Sequence, residues 1–168
     1  MLNHSSAVFR HGRRKSTKVM KEAKDIVFIK NTLEVLKQYD QFKGELGQSY
    51  ARTLFINACI GLLFIPRSNS IYDKLPDEIV SKEKWGIDAD DIKICTPKRT
   101  VKQVARHLRN SIGHNCFEYD CPLCVSKPIE EISFKDLSPN SQLTFQATLK
   151  FKDFSCFVLK IANFAVEN

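Results

Sequence analysis

The chain has 168 residues, of which 43% are hydrophobic and 27% are charged, and this composition excludes a chain that is disordered throughout. Its formal net charge of +7 favours a polyanionic partner, with nucleic acid first and an acidic protein or an anionic surface next. The longest apolar run, Leu54–Ile65, is shorter than the roughly 20 residues of a membrane-spanning helix, so we expect no membrane partner.

The N-terminal residues lack the apolar run of a secretory signal peptide, which predicts a cytoplasmic protein. Its six cysteines are therefore expected to be reduced thiols.

The first half of the chain predicts a tail and two helices. Residues 1–16 are expected to form a flexible basic tail, and residues 17–168 a single domain. The candidate nucleic-acid-binding residues of the tail are Arg10, Arg13, Arg14 and Lys15. Apolar residues spaced three or four apart predict a helix from about residue 17 to 43. A second helix, over 48–65, is apolar nearly all round and is expected to be the central helix of the core.

The second half predicts two further helices and a hairpin. Residues 66–96 are expected to be loops with one short helical turn, and a third helix opens at Thr96–Pro97 and ends at Gly113. The alternating stretches EISFKDL and LTFQATLK flank SPNSQ, which is typical of a hairpin. A last amphipathic helix begins near Lys152. The predicted fold class is mainly α, with a small β-hairpin near the C-terminus.

The third helix gathers polar groups at its C-terminal end. Its predicted core face consists of Val101, Val104, Ala105, Leu108 and Ile112. The opposite side carries His107, Asn110, Ser111 and His114, at spacings typical of one helix face. Arg109 is turned from His114 by about 140° on a straight helix, and a left-handed Gly113 would swing His114 out of line. The alternative is a solvated face with a histidine favoured by the helix dipole.

The stretch RNSIGH, Arg109 to His114, resembles the signature of the HEPN superfamily: an arginine, a polar residue directly after it, and a histidine after a short gap. The flanking helices, and the hairpin and helix that follow, resemble a bacterial and plasmid-borne group of HEPN nucleases. The resemblance covers roughly residues 20–165.

The resemblance implies a HEPN-like helical bundle that forms a homodimer, with the two motifs facing each other in one composite site. It implies a metal-independent endoribonuclease without cofactor, in a toxin–antitoxin or phage-defence system, with RNA and an antitoxin protein as partners. On this reading the catalytic residues are Arg109, Asn110 and His114, with His107 and Ser111 as accessory groups and Arg106 binding nucleic acid. Other members of the superfamily have lost activity, so a HEPN module that only binds nucleic acid, nucleotide or a partner protein is the alternative.

The residue chemistry fits RNA cleavage. Histidine titrates near neutrality and can act as general base or acid, while arginine offers a permanent forked cation for phosphate oxygens. Attack by the 2′-OH would leave 2′,3′-cyclic phosphate ends. One chain supplies a single histidine of this kind, so a two-fold dimer would supply the second acid–base group.

A zinc site is the main competing interpretation of this region. Cys116, Cys121 and Cys124, together with His114, could supply four ligands, but a second regular C-x-x-C pair is missing, so free cysteines are expected. Two acidic groups, Asp88/Asp90/Asp91 and Glu130/Glu131, are expected to be solvated loop charges. The other cysteines, Cys59, Cys95 and Cys156, are expected in the core.

Overall fold

The computed structural model describes residue 20 and residues 23–38, 48–64, 73–119 and 130–168. The helices are α1 (23–38), α2 (Gln48–Phe64), α3 (Lys82–Trp85), α4 (Val101–Gly113) and α5 (Phe151–Glu167). The strands are β1 (Ile92–Cys95), β2 (Phe117–Tyr119), β3 (Glu131–Leu137) and β4 (Leu143–Lys150). The predicted basic tail, with Arg10, Arg13, Arg14 and Lys15, lies outside the described residues, as do Cys121 and Cys124.

The four strands form one antiparallel sheet in the order β1-β4-β3-β2. The two segments expected to pair are β3 and β4, which run antiparallel from Glu131 opposite Lys150 to Leu137 opposite Leu143. The sheet is larger than expected, because β1 and β2 come from segments for which no strand was predicted. Both are too short, at four and three residues, to show a clear alternating pattern.

The core lies between this sheet and three helices. Helix α4 contacts α2 on one side and β3 on the other, and α5 contacts α2 and β4. Four of the five apolar residues of α4 that were predicted to face inward are fully buried: Val101, Val104, Ala105 and Leu108. The fifth, Ile112, is half-buried. Helix α2 contributes Cys59 and Leu63, both with no exposed surface, in agreement with the expected central helix.

The N-terminal end of α4 differs from the prediction, whereas the helix ends at Gly113 as expected. The helix begins at Val101 instead of Thr96–Pro97, because Thr100 is the cap and its side chain accepts from the backbone N–H of Gln103 at 3.4 Å. At the other end the left-handed residue is Asn115, with φ 54°, and not Gly113. Asparagine tolerates this conformation better than most residues.

A pair of backbone hydrogen bonds closes the C-terminus of α4 in a Schellman motif. Cys116 N–H donates to the carbonyl of Ser111 at 2.7 Å, and Asn115 N–H donates to that of Ile112 at 3.1 Å. The helix therefore continues through Gly113 to its cap, His114, whose N–H donates to the carbonyl of Asn110 at 2.9 Å.

Gly86 is a position where only glycine fits. Its φ is 85°, and an added Cβ would lie 2.7 Å from Cys156 Sγ and 2.8 Å from Cys156 Cβ. We expect Gly86→Ala to lower the free energy of unfolding by about 2 kcal/mol or more, through backbone strain and overpacking. Urea denaturation measures the change.

Gly61→Ala is the matched control. Its Cβ would meet the ring of Phe28 at an ordinary 3.5 Å, and alanine is favoured over glycine in a helix by about 1 kcal/mol. This variant should be as stable as the parent or more so. Equal unfolding midpoints for both variants and the parent would contradict the packing described around Gly86.

Candidate functional site at the end of helix α4

His107 is a buried residue, and the expectation that it lies on the solvated face of the helix is wrong. Only 6% of the residue is exposed. Its Nδ1 lies 2.8 Å from Asp136 Oδ2, and its Nε2 lies 2.9 Å from the carbonyl oxygen of Thr96. The ring stacks on Phe145, with centroids 5.1 Å apart and planes 6° apart. His107 is therefore not placed to serve as an accessory group for a ligand.

Both hydrogen-bond partners of the His107 ring are oxygen acceptors. A carboxylate and a backbone carbonyl cannot donate, so both ring nitrogens carry hydrogen when Asp136 is ionised. In that form the two side chains are a buried ion pair, joined by the hydrogen bond from His107 Nδ1 to Asp136 Oδ2. A lone charge in either place would be costly.

Asp136 also holds the side chain of Asn110. Asn110 Nδ2 donates to Asp136 Oδ2 at 3.1 Å, so one carboxylate oxygen accepts from two residues of α4. The strand side of the cluster is secured by Thr144, whose hydroxyl donates to the backbone carbonyl of Asp136 at 3.0 Å. Helix α4 is thus tied to β3 by polar contacts as well as by apolar packing.

Ser111 is the second residue for which the accessory role conflicts with the structure. It has no exposed surface, and its hydroxyl donates to the carbonyl of His107 one turn earlier, at 2.8 Å. This bond satisfies the hydroxyl inside the helix, as serine commonly does when it is buried in one. Ser111 therefore serves the packing of α4.

The remaining motif residues reach the surface. Arg106 and His114 are exposed, and Arg109 and Asn110 are half-buried. Arg106, Arg109 and Asn110 share one face of α4, at spacings of three and four. Because the helix is continuous to His114, ideal helical geometry turns Arg109 and His114 from each other by about 140°. One chain therefore presents them on different sides of Asn110 and does not bring them onto one face.

Asp136 is the residue of this cluster that sequence reasoning missed. It is 5% exposed and lies at an inward position of β3, beside the buried Ile132 and Phe134. A charged residue at an inward position of an alternating strand is the one signal that could have found it. Its partners lie 26 and 29 residues earlier in the chain, beyond the reach of any helical spacing.

A pocket of about 270 Å³ lies just past His114. It is lined by Asn115, Cys116, Phe117, Glu118, Ser133, Lys135 and Leu137. This volume is slightly below the roughly 300–1,000 Å³ of small-molecule sites. The pocket therefore has room for one part of a ligand next to Asn115 and Cys116, the residues that follow α4.

Two of the four proposed zinc ligands, His114 and Cys116, lie in the described part of the chain, whereas Cys121 and Cys124 lie outside it. Cys116 is half-buried and its thiol donates to the carbonyl of His114 at 3.5 Å. Within the described ranges no three histidine, cysteine or acidic side chains are grouped to hold a metal ion. The acidic residues Asp88, Asp90 and Asp91 are exposed, and Asp88 caps a short turn by accepting from Asp90 N–H at 3.1 Å.

The inner cysteines are poor nucleophiles. Burial raises the pKa of the Cys59 thiol to about 12, with a smaller opposing effect from its hydrogen bond with Ser155. Burial likewise raises the pKa of Cys95 to about 11. Thiols that stay protonated near neutral pH react slowly, so Cys59 is confirmed as a core residue and neither thiol is a candidate nucleophile.

Comparison with known protein families identifies the family of the chain. Residues 14–168 match the family described as HEPN pEK499 p136, and the match covers most of the chain. HEPN domains are nuclease-like or nucleotide-binding modules. The chain belongs to the HEPN pEK499 p136 family. Searches among curated proteins and among solved structures gave no match.

Helices in the described ranges do not reach the length and apolar character needed to cross a membrane.

The two histidines of α4 offer a matched test of the buried cluster. His107→Ala leaves Asp136 a buried carboxylate without its charged partner, so we expect the free energy of unfolding to fall by about 3–5 kcal/mol. His114→Ala removes an exposed side chain and should change it by less than about 0.5 kcal/mol. Urea denaturation of both variants and the parent measures the difference. An equal loss of unfolding free energy in the two variants would contradict the described pairing of His107 with Asp136.

Proposed function

We propose that the protein is a metal-independent endoribonuclease of the HEPN type, acting as a homodimer in a toxin–antitoxin or phage-defence system. The observation that carries the proposal is the position of Asn110. Asp136 holds its side chain at the exposed end of α4, with Arg109 to one side and His114 to the other. These three residues fill the arginine, polar and histidine positions of the HEPN signature.

Each side chain has a distinct role in cleavage. Arg109 holds the scissile phosphate through its forked cation. His114 transfers a proton, either from the attacking 2′-OH or to the departing 5′ oxygen. The 2′ oxygen forms a bond to phosphorus as the bond to the 5′ oxygen breaks, which leaves a 2′,3′-cyclic phosphate and a 5′-hydroxyl. Asn110 fixes the geometry between Arg109 and His114.

Two chains are required for this chemistry. Proton removal and proton donation need two groups, and one chain supplies one exposed histidine in the described ranges. The divergence of Arg109 and His114 on a continuous helix supports a site shared with a second copy. His114 of the partner subunit would then be the second acid–base group. A monomer in light scattering at micromolar concentration would remove this mechanism.

The charge of the chain supports a polyanionic substrate. The formal net charge is +7, and Arg106 lies exposed on the same face as Arg109 and Asn110. Lysine and arginine near a phosphate backbone gain affinity by releasing counterions. Arg10, Arg13, Arg14 and Lys15 of the basic tail would add to this attraction without sequence preference.

A non-catalytic HEPN module that binds RNA is the second candidate. It is favoured by the same divergence of Arg109 and His114, because a chain that does not dimerise through α4 would keep a basic face without a complete acid–base pair. The parent protein would then bind RNA and leave it intact.

We expect His114→Ala to slow cleavage of single-stranded RNA by about 10² or more, the usual contribution of a general acid or base. Arg109→Ala should cause a loss of similar size through the phosphate. His4→Ala, far from the motif in the sequence, is the control and should keep the parent rate. Rates are measured by gel analysis of a labelled RNA, with the fragment ends identified by mass spectrometry.

The product ends and the metal requirement separate the mechanisms. EDTA should not inhibit, and DNA of the same sequence should resist. Full activity of a folded His114→Ala protein contradicts the proposal, and complete inhibition by EDTA points to a metal-dependent reaction instead. Binding of RNA without cleavage by the parent assigns the non-catalytic role.

A further inference from the structure

The side-chain amide of Asn110 has a defined orientation. An asparagine amide carries a donor, Nδ2, and an acceptor, Oδ1, and its hydrogen-bond neighbours decide which way it points. The neighbour here is Asp136 Oδ2, 3.1 Å from Asn110 Nδ2. A carboxylate oxygen only accepts, so the Nδ2 group must face it and the opposite orientation would set two oxygens against each other.

The orientation leaves Oδ1 turned away from Asp136. Asn110 is half-buried, and within the described ranges no hydrogen bond to its Oδ1 is present. The group that α4 offers to a ligand between Arg109 and His114 is therefore a neutral hydrogen-bond acceptor. An acceptor at this place selects for a donor on the ligand.

We infer that Asp136 is a positioning residue that, through Asn110, makes the end of α4 recognise the 2′-hydroxyl of ribose. The inference rests on the proposed function, which makes RNA the ligand. The 2′-hydroxyl is both donor and acceptor and is what distinguishes RNA from DNA. Deoxyribose has no donor at this position, and a 2′-fluoro ribose carries fluorine in its place, which cannot donate.

The neighbours of Asp136 predict what an amide would do in its place. In Asp136→Asn the charge is lost, so His107 can become neutral and keep only the Nε2 hydrogen that Thr96 accepts. His107 Nδ1 then becomes an acceptor. The new amide would turn its NH₂ toward Nδ1 and also toward Asn110. The Asn110 amide would flip in response and present its own NH₂ to the ligand.

The test compares two probes on variants that do not cleave. All proteins carry His114→Ala, and the probes are one single-stranded oligonucleotide sequence made with ribose or with 2′-fluoro ribose. The His114→Ala parent should bind the ribose probe about fivefold more tightly, as expected for one neutral hydrogen bond. Adding Asp136→Asn should abolish or reverse this preference, since the donor and acceptor ends of Asn110 exchange.

Two further variants separate positioning from general damage. Asn110→Ala should remove the preference without reversing it, because neither end of the amide remains. Glu131→Gln makes the same carboxylate-to-amide change at an exposed position of the same strand, β3, and should keep the parent preference. A merely structural role for Asp136 would weaken both probes equally and leave their ratio unchanged.

An unchanged ratio in Asp136→Asn overturns the inference, and so does failure of the parent to bind either probe. If Asp136→Asn does not fold, Asn110→Ala decides, and an undiminished ribose preference in that variant overturns it. Absence of cleavage by the wild-type protein, with the ratios as expected, removes the proposed endoribonuclease activity and leaves the recognition of ribose in place.

Discussion

The hydrogen-bonded pair of His107 and Asp136 is the interaction on which the arrangement of the site depends. Each group loses several kcal/mol of hydration when it is buried, and a pair offsets this loss only when its geometry is good and its other hydrogen-bonding capacity is used. Here Nδ1 of the ring lies 2.8 Å from the carboxylate oxygen, Thr96 accepts from the second ring nitrogen, and Asn110 donates to the same carboxylate oxygen. The ring also stacks on Phe145.

The pair couples one helix to the sheet at its functional end. His107 joins α4 to Asp136 of β3, to Phe145 of β4, and to Thr96, which directly follows β1. Apolar residues such as Leu108 pack the same helix without fixing its rotation to one value, since dispersion contacts are not directional. The hydrogen bonds of His107 to Asp136 and Thr96, which lie in different parts of the fold, do fix the rotation of the helix. This rotation decides which side chains of α4 face a ligand.

Periodicity in the sequence was sufficient for α4, for the start of α5 and for two of the four strands. The alternation in EISFKDL and LTFQATLK marks β3 and β4, whereas α2 was predicted from its long apolar run. The strands β1 and β2 were missed because they are too short to show a period. The motif from Arg109 to His114 was found by its resemblance to the HEPN signature. The membership of the chain in a HEPN family is confirmed.

The site predicted from the sequence was wrong for His107 and Ser111, for a physical reason. Polar residues at helical spacing predict a solvent-exposed helix face. A polar residue can nevertheless be buried when another part of the fold supplies its hydrogen-bond partner. For His107 the partner is Asp136, 29 residues later, and for Ser111 it is the carbonyl of His107 itself. A left-handed Gly113 would have swung His114 out of line, but the Schellman closure places that conformation at Asn115.

Nitrogen-detected NMR spectroscopy of the imidazole rings tests the buried pair most directly. Because both acceptors are oxygens, the account predicts that the His107 ring shows two N–H groups, both protected from exchange with solvent by their bonds to Asp136 and Thr96. The ring of the exposed His114 is the internal reference and should exchange quickly. A His107 ring with one N–H, or with two that exchange as fast as those of His114, would contradict the account.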